Sequence, residues 1–298
     1  MRICKWFIGL AVLLNATVAL LAATPSEFQN EFKKMNEAIS KYFSEKQPFI
    51  NSLGLHDATG AKYGFPFFAV GVTGGLAILP NPAEDLNVNK NIVNTDKLPI
   101  KYDVLPLPYN PTIFGRVGIP GVDLDIGVKV GLPVNLGVEK FSYKSTSFGG
   151  ELRYSILTQG ITPGLSIAAG FDYLDSTLSY SYSGNFGAYN VDFKTENHSH
   201  LINYHLTGRV GYDILFLSLL AGLQLYLPTG EVETKTTGTF HNGAYSLNSL
   251  VKSEAEGIRA KLIGGLYFRL PLSRIGFQFD YEPQSEAMGL SLSAQLVF

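Results

Sequence analysis

The sequence predicts an all-β protein, an antiparallel transmembrane β-barrel of about 10–12 strands preceded by a short amphipathic helix. Three observations predict it. From about Phe65 to Phe298 apolar and polar residues alternate with a period of two, in runs that reach about a dozen residues where globular strands average 5–6. Only 16% of the 298 residues are charged, against roughly 25% in a soluble domain. Connections alternate between short turns and long polar stretches, the pattern of a meander crossing a slab. The 31 Gly, 20 Phe and 16 Tyr suit a chain of strands and turns.

The chain opens with a positive Met1-Arg2-Ile3-Cys4-Lys5 and an apolar run from Trp6 to Ala23 that ends in small residues. Residues 1–23 read as a secretory signal peptide, with an uncleaved membrane anchor as the alternative. The single Cys is Cys4, so the exported chain has no thiol for a disulfide or a thiolate metal site. The formal charge is −2, and loss of Arg2 and Lys5 makes it more negative. Without a basic excess, no nucleic-acid partner is expected.

Residues 24–60 read as an amphipathic helix and linker, and 61–298 as the barrel. Thr24-Pro25-Ser26-Glu27 combines an N-cap, Pro at the first helical position and a capping Glu. Phe28, Phe32, Met35, Ile39 and Tyr42 or Phe43 then recur at helical spacing, with Gln29, Asn30, Glu31, Lys33, Lys34 and Lys41 opposite. Pro48 is expected to end the helix at the latest. Its apolar face needs a cover, which is a barrel mouth, a partner or the membrane surface.

Ten strands are predicted, at about 64–79, 121–130, 134–144, 147–157, 165–182, 198–212, 214–227, 255–270, 275–282 and 287–298. Short turns fall at Gly131-Leu132-Pro133, Tyr212-Asp213 and Pro271–Arg274, and long loops at about Pro80–Pro120, Ser183–His200 and Pro228–Glu254. Thr112 to Ile119 could add strands, and Leu105 to Pro111 could fold inward. Ile214 to Leu227 is too short for a spanning helix and carries Ser218, Gly222 and Gln224 at period two. A soluble periplasmic β-sandwich is a weaker third reading.

The chain closes on Phe298, with Leu296, Ala294, Leu292 and Leu290 at every second position before it. Over about residues 60–298 it resembles the outer-membrane β-barrel proteins of double-membraned bacteria, whose terminal aromatic strand is read by the barrel-assembly machinery. Leu296 departs from the pattern, since the class often has an aromatic there. The resemblance implies a bacterial outer-membrane location, with outer-membrane lipid and the assembly machinery as partners and Phe298 as the assembly signal. Gly149 to Leu157 is also similar to hairpins of uncharacterised members of the class.

Function has to come from the inward face, where Asp123, Asp125, Lys129, Glu151, Arg153, Asp172, Arg209, Arg259, Lys261, Arg269, Asp280 and Glu282 are the lumen-facing candidates. Their signs are mixed, whereas a strongly ion-selective pore carries rings of one sign. They either neutralise one another in a narrow lumen or line a polar conduit or binding site. A turn at Pro271–Arg274 places Glu282 opposite Ile263 and diagonal to Lys261. No nucleophile elbow, Walker loop or H-E-x-x-H is present, so neither an enzyme nor a cofactor is expected. His198 and His200 share a face and form a weak metal or acid–base pair, with Glu196 and His205 nearby. Lys129 accounts for the Asp123 and Asp125 pair. Gly115, Gly118 and Gly121 beside Pro120 read as a turn, and Gly71, Gly74 and Gly75 as a bend. The function expected is a porin-like or transport channel for a small solute or a hydrophobic molecule. The alternative is a structural or surface-interaction barrel whose long loops bind a partner or a host surface.

Overall fold

The computed structural model describes residues 24–52, 59–62, 66–80, 104–138, 140–160, 162–186 and 189–298. The proposed signal peptide, 1–23, lies outside them. Among the described residues one helix, α1 (Pro25–Asn51), is followed by β1 (Phe68–Pro80), β2 (Val104–Gly118), β3 (Leu124–Val138), β4 (Phe141–Leu157), β5 (Gly164–Phe186) and β6 (Tyr189–Ile214). Then come β7 (Leu217–Phe240), β8 (Tyr245–Glu254), β9 (Arg259–Leu270), β10 (Ser273–Glu282) and β11 (Ala287–Val297).

Strands pair antiparallel with their sequence neighbours except β8 and β9, which both pair with β7, and β1 pairs with β11 from Ala69↔Val297 to Ile78↔Met288. The sheet therefore closes on itself. β7 is long enough to hold two partners, β9 along Leu217–Tyr226 and β8 along Glu231–Phe240. Closure removes the sheet edges that a bilayer cannot hydrate. At Gly75 it leaves no room for a side chain, since a Cβ would lie 2.0 Å from the Leu290 carbonyl oxygen.

Several expected boundaries move. The predicted loop 80–120 contains β2, and the turn expected at 131–133 is a register shift inside β3 between Gly131 and Val134. A bulge bends a strand without ending it, so Gly and Pro there do not mark a turn. The long loops expected at 183–200 and 228–254 are mostly strand, the upper parts of β5 to β8. α1 runs past Pro48 to Asn51, its last turn held by wall contacts such as the Asn203 amide donating to the Pro48 carbonyl at 2.7 Å. The β9–β10 hairpin has a tighter turn than expected, Leu270↔Ser273, which puts Asp280, not Glu282, opposite Ile263.

Both faces of the wall change character at one height. In the row Phe148, Tyr173, Ile202, Thr229, which the strand register aligns across β4 to β7, the three outer side chains on β4 to β6 are still apolar. The next row toward the hairpin tips is Thr146, Asp175, His200, Glu231. Below this level the outer face is apolar, with Val128 57% and Leu292 58% exposed, while the inner face buries Lys129 and Asp280. That is the pattern of a wall between lipid and a polar lumen. Above it, the inner faces of β5 to β7 carry Leu174, Leu178, Tyr180, Leu201, Phe193, Val232 and Phe240 among small hydroxyl and amide residues, without a charge among the described residues.

α1 explains the reversal. Its apolar face, Phe28, Phe32, Met35, Ile39, Tyr42, Phe43, Phe49 and Ile50, is buried in one cluster with Tyr143, Leu174, Leu178, Phe193, Val232, Phe240 and Leu247 from the wall. The helix lies inside the barrel, apolar side toward β6, β7 and β8, and Lys33, Lys34, Glu37 and Lys41 remain exposed. Below Lys41 most of the helix is buried all round.

Candidate functional site: the plugged lumen

The lower lumen is filled by an ion-pair network built from alternate positions on adjoining strands. Asp125 and Arg153 face each other across the β3–β4 register and pair at 2.9 Å. Arg116 of β2 bridges Asp125 and Glu151, reaching Glu151 at 2.6 Å. Glu151 also receives Arg209 on both carboxylate oxygens, each at 2.8 Å. Lys129 pairs with Asp172 at 2.9 Å, His205 stands 3.7 Å from the same carboxylate, and Lys261 lies 3.5 Å from Asp280. At the lower rim Asp213 takes Arg274 at 2.9 Å. All of these are buried. Charges out of water are tolerated where each has an opposite partner and further hydrogen bonds, and every carboxylate of this network has a cationic partner.

The plug is seated by polar contacts from the same wall. The Gln47 amide donates to Ser176 Oγ at 2.7 Å and accepts from Ser199. Asn51 donates to the Asp172 carbonyl at 2.9 Å, and Ser40 to the Val232 carbonyl at 3.1 Å. α1 has no basic residue in its last turn. Lys261 takes that place from the wall, donating to the Ser52 carbonyl at 2.7 Å, where the helix dipole is negative. Arg259 donates to the Glu45 carbonyl, and beyond the helix Arg153 donates to the Thr59 carbonyl at 2.9 Å. Residues 24–52 and 59–62 thus both contact the inner wall, the helix from the upper mouth downward and Thr59 to Lys62 at the lower end.

Of the twelve lumen candidates, Asp125, Lys129, Glu151, Arg153, Asp172, Arg209, Lys261, Asp280 and Glu282 lie on the inner wall and are buried. Arg259 faces the helix, 4.0 Å from Glu282. Two are corrections. Asp123 precedes β3, outside the alternating frame; its side chain is 57% exposed and pairs with Lys62 at 3.1 Å. Arg269 sits at the lower rim, 45% exposed and 3.5 Å from Asp213. His198 and His200 stand on the outer face above the apolar band, 3.9 and 3.6 Å from Asp175, and His205 points the opposite way into the lumen. No group that could hold a metal ion occurs among the described residues. Phe298 stacks on Phe68 with centroids 5.9 Å apart, and its backbone pairs with the start of β1.

Sequence reasoning missed Arg116, Asp213 and Arg274. Arg116 fell in the segment taken for a loop, and the other two were assigned to turns. Outside the membrane-spanning zone, burial pushes the Tyr180 phenol up to about 12, while the Thr24 backbone amide, then its hydroxyl, hold the Glu27 carboxyl below its usual value.

No family model and no curated protein matches this chain. Solved structures of outer-membrane β-barrels are similar to it. The translocator domain of the autotransporter NalP from Neisseria meningitidis has a TM-score of 0.39 at 9% identity, covering 79% of this chain and 88% of that one. The outer membrane protease OmpT from Escherichia coli gives 0.40 at 11%, covering 78% and 97%. Omp33 of Acinetobacter baumannii gives 0.29 at 11%, covering 80% and 100%. None of these values places the chain in a family.

Proposed function

We propose that the protein is a transport barrel of the bacterial outer membrane, held shut by its own helix, and that it passes a small amphiphilic molecule when α1 withdraws. The observation that carries this is the two-part lining of one lumen. An uncharged trough of aromatic, aliphatic and hydroxyl side chains stands above the membrane. It leads down into a charged, hydrogen-bonding zone that water can re-solvate. The closed strand ring does not use α1 for any ladder pairing, so the barrel keeps its backbone bonds with the plug removed. The lower seat consists largely of amide, hydroxyl and lysine contacts, which water replaces at small net cost. The balanced charges favour an uncharged or zwitterionic solute over a simple ion.

The test is conductance across a planar bilayer with the plug tethered and free. A Gln47→Cys, Ser199→Cys variant joined by a short thiol-bridging reagent is expected to show no openings. Adding Asn51→Ala and Lys261→Met without the bridge is expected to raise the open fraction at least tenfold over wild type. Silence of the loosened variant in both conductance and liposome solute uptake would sink the transport reading.

A further inference from the structure

At the far end of the tall wall, where β5–β6 and β7–β8 turn back, aromatic rings stand in contact around one buried ring. Phe240 is fully buried and has the Tyr245 ring stacked on it at 5.0 Å and 25°, the Tyr189 ring edge-on at 5.3 Å, and Phe28 of α1 beneath at 5.0 Å. His241 completes the set, 5.6 Å from Tyr189 and 6.0 Å from Tyr245. Tyr245 is 42% exposed, so one ring face packs inward and the ring still offers area to solvent.

The turn that presents these rings is strained. His241 and Asn242 hold φ of 56° and 55°, ahead of Gly243 at 87°. Non-glycine residues rarely adopt this region, and Asn and His are among those that tolerate it best. The His241 amide donating to the Asn190 carbonyl at 2.8 Å ties this turn to the neighbouring hairpin. Around the rings are the exposed amides Asn185, Asn190 and Asn242, the first two bonded to each other at 3.4 Å. Between Tyr182 and Asn190, and between Gly238 and Asn248, the sequence holds no Asp, Glu, Lys or Arg. Fixed charges nearby include the carboxylates Glu27, which acts on Tyr189, and Asp192, three positions below Tyr189 on β6.

From this we infer that the paired hairpin tips bind a neutral oligosaccharide. Rigid tyrosines with Ser, Gly and Asn combine large amphipathic contact faces with adaptable hydrogen bonding at low entropic cost. A pyranose ring offers that surface its match, with an apolar C–H face for the aromatic ring and hydroxyls that both donate to and accept from amides. Carboxylates at the margin oppose sulfated or sialylated chains. A protein partner fits less well, because specific protein interfaces take about 20–30 residues a side, several times what the tips present. The site is separate from the lumen and independent of the transport reading.

The experiment uses the full exported chain in a detergent without a sugar headgroup. It is titrated with tetrasaccharides of N-acetylglucosamine, galactose, glucose and mannose, a sulfated oligosaccharide and an unrelated protein ligand, read by saturation-transfer NMR and calorimetry. Binding of at least one neutral tetrasaccharide is expected, reduced at least tenfold by Tyr245→Ala and by Tyr189→Ala and retained by Tyr245→Phe. Heat-dependent gel migration serves as the folding check. The proposal is overturned if no neutral tetrasaccharide binds, if only the sulfated or protein ligand does, or if binding survives both alanine variants in folded protein.

Discussion

Glu151 shows how much a single residue in this lumen depends on its surroundings. It lies fully inside the barrel with two guanidinium groups on its oxygens, so Glu151→Gln leaves buried positive charge short of a partner. Breaking a buried pair in this way costs on the order of 3–5 kcal/mol. The variant should lose its fast-migrating folded gel form at a clearly lower temperature than wild type. Glu231→Gln is the control: Glu231 and its partner Lys252 are both about half exposed, and exposed ion pairs contribute roughly 0–1 kcal/mol, so the transition should barely move. Tyr180 sets a limit at alkaline pH. Burial raises its phenol to about 12, above the usual tyrosine value of about 10. As pH climbs through that interval the unfolded chain gives up a proton that the folded chain retains, so stability present below pH 10 is lost on the way to 12. Tyr180→Phe should remove that part of the alkaline loss in a pH series of thermal melts.

At the scale of the element, α1 is seated in two chemically distinct halves. The upper half is held by apolar packing, Phe32 against Phe193 at 5.1 Å for example, and Phe32→Ala should cost about 3–5 kcal/mol of that docking. Protection of α1 amides in hydrogen exchange measures it. Its first turn is held by the Thr24 and Glu27 capping box, worth about 1 kcal/mol on replacing the cap with Ala. Because the Glu27 carboxyl is held below its usual value, its contribution is present at neutral pH and disappears as pH falls through that lowered value. Thr24→Ala should therefore flatten the acid dependence of exchange in the first turn. Helical spacing and cap were readable from Thr24, Pro25 and Glu27 onward, since both are local. The last turn beyond Pro48 was not, because it depends on Asn203 and Lys261, far away in sequence.

For the whole molecule, closure is the organising fact. The β1–β11 ladder joins the two ends of the strand sequence, and a Gly75→Val change, pushing a side chain into the Leu290 carbonyl, should abolish heat-modifiable migration. The described residues form eleven strands against the ten expected from the sequence, the difference of two omissions and one false division. β8 lies wholly within the stretch 228–254 read as a loop. β2 was missed because Pro106, Pro108 and Pro111 obscure its alternation, and β3 was cut at Gly131-Leu132-Pro133, where the strand only bulges.

What the sequence by itself determined was the strand period, the outward apolar face and the helix with its cap. Each follows from residues a few positions apart, and Asp125, Lys129, Glu151 and Arg153 could be placed inward by parity alone. His205, grouped in sequence with His198 and His200, has the opposite parity and faces the lumen. Only the tertiary structure decided that α1 lies within the lumen, that polar stretches read as loops are the upper wall, and that Lys261 meets Asp280. A period-two pattern shows that two faces differ, and nothing in it says which medium lies beyond each. Here lipid lies outside the lower wall and the protein's own helix inside the upper one, so the same alternation carries opposite meanings along a single strand.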